Sequence, residues 1–207
     1  MPHDGHDHAT TFQPDEEDSL DDFAIEEMAI RELLLEKGIF TADEFRRGVE
    51  AIDSRSPRKG AEIVARAWTD PAFRELLLSD ANAAIAEYGI EMGGTVLYAV
   101  ENTPEVHNVV VCTLCSCYPK PLLGVPPDWY KSRNYRARTV REPREVLKEF
   151  GTAIPDDVEV RVHDSTADLR YIVIPERPAG TDDLNPEQLA DLVGRDAMIG
   201  VVRAVAP

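Results

Sequence analysis

The chain has 207 residues and 43% hydrophobic content, which suits one compact domain plus an appendage and excludes an intrinsically disordered protein. Its 22 Lys and Arg stand against 39 Asp and Glu, and the resulting charge of −17 excludes nucleic acid and anionic membrane surfaces as partners. No apolar run approaches membrane-spanning length and the N-terminus lacks a signal core, so the expected location is the reducing cytoplasm, where three cysteines are not expected to form disulfides.

Residues 1–22, MPHDGHDHATTFQPDEEDSLDD, hold eight acids, no Lys or Arg and three of the five histidines, and read as a disordered acidic tail. His3, His6 and His8 could scavenge a transition metal, although a solvated polar terminus is the simpler reading. Residues 23–92 read as a helical arm. From Ser19 the residues Phe23, Ile30, Leu33 and Leu34 recur along one side, with Gly38 as the stop. Thr41 with Glu44 forms a capping box for a second helix. Ser56-Pro57 opens a third, and Asp70-Pro71 a fourth that turns Phe73, Leu77, Ala84 and Tyr88 inward and ends at Gly89. Trp68 is expected between the last two. The arm is expected to pack, including onto another chain, and to carry no chemistry.

Residues 93–207 change texture to β-branched runs: TVLYAVE, VHNVVV, DVEVRVHD, LRYIVIP and IGVVRAV. Helical insertions PPDWYKS, EPREVLKEFG and PEQLADLV separate them, so the fold class is α+β with an α/β domain after the helical arm. All three cysteines, Cys112, Cys115 and Cys117, lie in the stretch VVVCTLCSCYPKP, in a loop leaving a strand end, where chemistry is often found.

A structural zinc needs four closed ligands, and only His107 or His163 could complete one here. A thioredoxin-like pair opens a helix, whereas Pro119 and Pro121 forbid a regular one at this place. The tripeptide Cys115-Ser116-Cys117 offers a third solution. Two thiolates and the deprotonated backbone nitrogens of Ser116 and Cys117 close fused chelate rings into a planar set of two nitrogens and two sulfurs, unsuited to zinc. Cys112 can then reach one axial position, leaving the other open. Amide deprotonation needs a strongly polarising ion, so cobalt(III) or iron(III) fits, acting as a Lewis acid. Exposed cysteines on such a metal are open to oxidation to sulfenic and sulfinic acids.

At these residues the sequence resembles the metal-binding alpha subunit of nitrile hydratases and the gamma subunit of the related thiocyanate hydrolases. The likeness rests on VCTLCSC and continues through LLGVPPDWYKSRNYRARTVREPREVL, VEVRVHDSTADLRYIVIPERPAGTDD and RDAMIGV, covering the chain from about residue 25 to its end. The resemblance implies a layered α-β-β-α domain and a metal claw of Cys112, Cys115, Ser116 and Cys117, with Cys115 as sulfinate and Cys117 as sulfenate. It implies that Cys115 and Cys117 are catalytic, the oxygenated Cys117 serving as nucleophile or base in hydrating a nitrile to an amide. Thr113 and Tyr118 resemble the cobalt type, so Co(III) is expected and Fe(III) is the alternative. Many members carry tryptophan where this chain has Lys120, and glutamine where it has Gly93; thiocyanate hydrolases carry a basic residue after CYP. Lys120 and Tyr118 are therefore expected at the substrate pocket. The alternative activity is hydrolysis of thiocyanate to carbonyl sulfide and ammonia, and a third reading is a non-catalytic metal-binding or maturation protein.

Between residues 119 and 148 eight Lys or Arg meet only three acids, a basic segment that suits either a partner interface or attraction of an anion. His107 and His163 read as strand-end residues rather than ligands, and Asp164 with Arg170 as an ion pair near a turn. An oxygenated claw needs cationic donors. No Arg or Lys lies between Gly89 and Tyr118, and the resemblance implies that a beta-type subunit, or two smaller chains in its place, supplies two arginines in a hetero-oligomer.

Overall fold

The computed structural model describes residues 20–53 and 55–206, so the expected acidic tail with His3, His6 and His8 lies outside the described residues apart from its last three. Helix α1 (Leu20–Glu36) ends at Gly38, whose φ of 64° suits a residue without Cβ. Of the face expected to pack, Phe23, Ile30 and Leu33 are exposed and Leu34 is half-buried, lining a shallow groove with Phe40 and Phe45. Helix α2 (Ala42–Asp53) starts on the expected capping box: the Glu44 backbone N–H donates to Thr41 Oγ1 at 3.2 Å and the Thr41 N–H donates to Glu44 Oε2 at 2.7 Å.

Helix α3 (Arg58–Thr69) begins next to Pro57 as expected and runs through the core, burying Ile63, Val64, Ala65 and Ala67. Helix α4 (Pro71–Ser79) is capped by Asp70, whose carboxylate accepts from the Phe73 N–H. The expected single helix to Gly89 is in fact two. Asp80 repeats the capping chemistry on the Ala83 N–H and opens α5 (Ala81–Ala86), so the chain bends between Leu77 and Ala84 while both stay buried. Trp68 is half-buried, and its indole N–H donates to the Pro175 carbonyl at 2.8 Å.

Four strands follow the expected runs: β1 (Val96–Glu101), β2 (Val106–Val111), β3 (Glu159–Asp164) and β4 (Leu169–Ile174). They form two parallel pairs, β1 with β4 in the register Val96↔Leu169 and β2 with β3 in the register Val106↔Glu159. β2 is buried from His107 to Val111, as a parallel strand covered on both faces must be. The connection from β2 to β3 holds α6 (Lys120–Leu123), α7 (Asp128–Lys131), α8 (Arg133–Thr139) and α9 (Pro143–Glu149). The prolines flanking Lys120, expected to forbid a regular helix, leave room for a single turn. After β4 come α10 (Pro186–Asp191) and α11 (Arg195–Ile199).

The fifth expected strand, IGVVRAV, does not form. Its start completes α11, Gly200 turns the chain at φ 87°, and the remainder runs as irregular chain. The apolar content that suggested a strand is spent in the core by Met198, Ile199 and Val201. Gly200 lies so close to β2 that a Cβ there would sit 2.0 Å from the Asn108 carbonyl oxygen. Helices α3 to α5 share one core with the strands, where each fully buried Leu or Ile contributes about 1.5–3 kcal/mol. The fold is α+β. No helix among the described residues is long and apolar enough to cross a membrane.

Candidate metal centre

The site begins where β2 ends. Val111 pairs with Asp164 in the β2–β3 register, so the Asp164 carboxylate stands beside the first residues past the strand. It accepts two hydrogen bonds from Thr113, from the backbone N–H at 2.9 Å and the hydroxyl at 2.6 Å. That clamp replaces the ion pair expected between Asp164 and Arg170. Arg170 instead donates to carbonyls of its own turn, at 3.1 Å for Ala167 and 3.0 Å for Leu169.

Held in this way, the loop folds back so that all three cysteine sulfurs lie within 4.8 Å of one another. Cys115 Sγ is 3.5 Å from Cys112 Sγ and 3.1 Å from Cys117 Sγ. Cys112 and Cys117 are buried and Cys115 is exposed. Neither His107 nor His163 joins the group, so no fourth zinc ligand is present among the described residues. Within the loop the Cys115 backbone N–H donates to the Cys112 sulfur at 3.4 Å, and the amides of Ser116 and Cys117 follow directly in the chain between the two outer thiols. Hydrogen bonds from Cys117 and Cys112, with those amides, lower the pKa of Cys115. Burial first, and then the Cys115 sulfur, push Cys117 up to about 12. The exposed Cys115 is thus the easier of these two thiols to ionise, and a bound cation would favour the Cys117 thiolate that burial opposes.

Three further contacts hold the loop and the strand end that leads into it. Tyr130, fully buried, donates its hydroxyl to the Cys117 carbonyl at 2.9 Å. Tyr135 does the same for the Val110 carbonyl at 2.7 Å, and Arg136 Nη1 donates to the Cys115 carbonyl at 2.7 Å. Tyr118 packs edge-on against Tyr130 with centroids 5.1 Å apart, and its hydroxyl is buried without a partner among the described residues. Arg136 and Asp164 were not singled out for the loop from sequence, because their partners in it lie more than twenty residues away.

Above the loop lies a cavity of about 350 Å³. Cys115, Ser116, Cys117 and Tyr118 line it together with Lys120, Arg55, Met92, Thr95 and Arg170. In another concavity of about 260 Å³, lined by His107, Glu176 and Arg203, both His107 ring nitrogens are engaged. Nε2–H donates to the Gly200 carbonyl at 2.7 Å and Nδ1 accepts from Asn102 Nδ2 at 3.3 Å. His163 donates to Asn108 Oδ1 at 2.8 Å. Both histidines thus brace strands.

The basic segment is partly neutralised within the chain. Lys131 pairs with Asp128, Arg138 with Glu142 and Glu149, and Lys148 with Glu145, while Arg144 donates to the carbonyls of Ile154 and Pro155.

The family model for the nitrile hydratase alpha chain matches residues 21–202. The low-molecular-weight cobalt-containing nitrile hydratase subunit alpha of Rhodococcus rhodochrous is 50% identical, over 91% of this chain and 92% of its own. The thiocyanate hydrolase subunit gamma of Thiobacillus thioparus is 44% identical, over 89% of this chain and 81% of its own. Among solved structures, a double mutant of the Fe-type nitrile hydratase from Comamonas testosteroni Ni1 superposes with a TM-score of 0.86 at 42% identity, covering 92% of this chain and 94% of that one.

Proposed function

Because the chain belongs to the nitrile hydratase alpha-chain family, we propose that it is the metal-binding catalytic subunit of a cobalt-type nitrile hydratase, adding water to a nitrile to give the amide. The observation that carries this reading is the convergence of the Cys112, Cys115 and Cys117 sulfurs within 4.8 Å, with Cys115 and Cys117 lining an open cavity and Cys112 buried. Three thiols with the amide nitrogens of Ser116 and Cys117 form a soft, highly charged donor set, which fits Co(III), with Fe(III) as the alternative. When bound, the ion supplies the Lewis acidity that polarises the carbon–nitrogen triple bond.

The chain's own groups do the rest. Asp164, Tyr130 and Arg136 hold the loop by fixing Thr113 and the carbonyls of Cys117 and Cys115. Cys115 and Cys117 are the catalytic pair, and Cys117 in its oxygenated form attacks the nitrile carbon or takes a proton from the attacking water. Tyr118 and Lys120 belong to the substrate pocket. A beta-type subunit, or two smaller chains, closes the cavity and brings two arginines to the oxygenated sulfurs. The exposed apolar face of α1 and the basic segment are its docking surfaces. Three free thiols suit the cytoplasm.

Hydrolysis of thiocyanate to carbonyl sulfide and ammonia is the second reading, favoured by Lys120 in the cavity wall. The test is to purify the chain with its native partners, measure cobalt and cysteine oxygenation by mass spectrometry, and assay butyronitrile and thiocyanate. Amide from butyronitrile supports hydration. Carbonyl sulfide from thiocyanate with no amide from any nitrile moves the assignment to the second reading, and zinc with unmodified cysteines refutes both.

A further inference from the structure

The cavity over the cysteines is lined by three cations, Arg55, Lys120 and Arg170, and by no carboxylate. In a chain of net charge −17 this is an unusual local balance. None of the three takes part in an ion pair among the described residues, whereas Arg58, Arg66, Arg74, Arg138 and Arg161 each do. Their charge is therefore available to whatever enters the cavity.

The fold brings each of them to the cavity. Arg170 is anchored by the carbonyls of Thr166, Ala167 and Leu169. Lys120 opens α6 directly after the cysteine loop. Arg55 comes from far away in sequence, and Gly124 explains how it arrives. At φ 76° Gly124 lets α6 end against the Arg55 backbone, where a Cβ would lie 2.8 Å from the Arg55 carbonyl oxygen. The contact sets the backbone of Arg55 and Ser56 against the end of α6, beside the cavity. Arg136 already serves the loop itself through the Cys115 carbonyl, so the other three are not needed for that task.

Resting on the hydration reading above, we propose that the preferred substrate is a small anion ending in a C≡N group, received with that group on the cysteine floor and its negative charge on the collar of Arg55, Lys120 and Arg170. A short aliphatic nitrile bearing a carboxylate fits this description, and thiocyanate shares its chemistry. For the former, one water adds across the triple bond, R–C≡N + H2O → R–C(O)NH2, and the carboxylate is unchanged. For the latter, SCN⁻ + 2 H2O → COS + NH3 + OH⁻. Partly screened charges at a cavity mouth favour a complementary ligand by about tenfold or more at low salt.

The test compares 3-cyanopropanoate with its neutral isostere 3-cyanopropanamide, and thiocyanate in parallel, on the cobalt-loaded complex with its native partners. The expected result is a kcat/KM for the anion at least about tenfold above the amide, shrinking as salt rises from low to physiological strength. Arg55→Met is expected to cut that ratio several-fold, and Arg55→Lys to keep most of it. Equal or better use of the neutral isostere overturns the collar and leaves hydration standing. Turnover of thiocyanate with no amide from either nitrile supports the collar and removes the hydration reading. Should nothing be turned over, calorimetric binding decides: tighter binding of 3-cyanopropanoate than of its amide, lost in Arg55→Met, supports the collar, and equal binding overturns it.

Discussion

Replacing Tyr130 with phenylalanine isolates one hydrogen bond under the cysteine loop. The side chain is fully buried and its hydroxyl donates to the Cys117 carbonyl at 2.9 Å. Phenylalanine keeps the ring, and with it the edge contacts to Tyr118 at 5.1 Å and Trp129 at 5.9 Å, so no cavity opens. What remains is a buried carbonyl without its donor, a loss of about 1–3 kcal/mol. For a chain of this size that lowers Tm by about 2–12 °C. The same carbonyl belongs to a residue expected to give both sulfur and nitrogen to the metal, so loss of cobalt to a chelator should quicken together with the fall in Tm. Scanning calorimetry of the complex and timed metal release measure the two effects. Stability within about 0.5 kcal/mol of the parent, with unchanged metal release, would show that this contact does not hold the loop.

Asp164→Ala removes both acceptors of Thr113, and because the carboxylate is exposed it should lower the cobalt content of purified complex while changing unfolding free energy by under about 1 kcal/mol; metal analysis beside urea unfolding reads both. Gly200→Ala forces a side chain into a left-handed position and against the Asn108 carbonyl, and should cost roughly 2–5 kcal/mol in urea unfolding. Burial holds His107 below the usual histidine pKa, with Arg203 adding to the shift, and burial followed by Arg161 does the same for His163. Both are then neutral in the fold, and the unfolded chain binds more protons below about pH 6.5. Stability should therefore fall as pH drops from about 6.5, and a His163→Gln variant should lose less than the parent. A flat urea midpoint between pH 7 and 5 would contradict this.

The cysteine loop was readable from sequence because its chemistry is local: the ligand types sit within six residues, and Val111 ends a strand whose β-branched run is unmistakable. Caps were equally local, as Thr41 with Glu44 and Asp70 with Pro71 show. The break at Asp80 was hidden because the apolar period continues across it from Leu77 to Ala84. Helix α8 was hidden for the opposite reason, since RNYRART has little apolar period and starts on the Ser132 cap, whose hydroxyl accepts from the Tyr135 N–H. The tail end IGVVRAV misled because β-branched residues fit any buried surface, and here Val201 fills core beside a turn. Arg55 and Arg170 at the cavity, and Asp164 on Thr113, are products of long-range packing that no local pattern encodes.

The two parallel pairs also set a timetable for building the centre. β1 waits for Leu169 and β2 for Glu159, so neither partner strand exists while the three thiols are first being synthesised. Asp164 cannot grip Thr113 until the chain beyond α9 has been made and has crossed back, and pairing over such separations is slow. The nascent thiols consequently meet the cell as loose, oxidisable groups before the loop that gathers them is locked. On the proposed reading, ordered assembly places metal loading late, after the returning strands have locked the loop, and makes the lag between synthesis and locking the interval in which the cysteines are most easily lost to the wrong oxidant or ion.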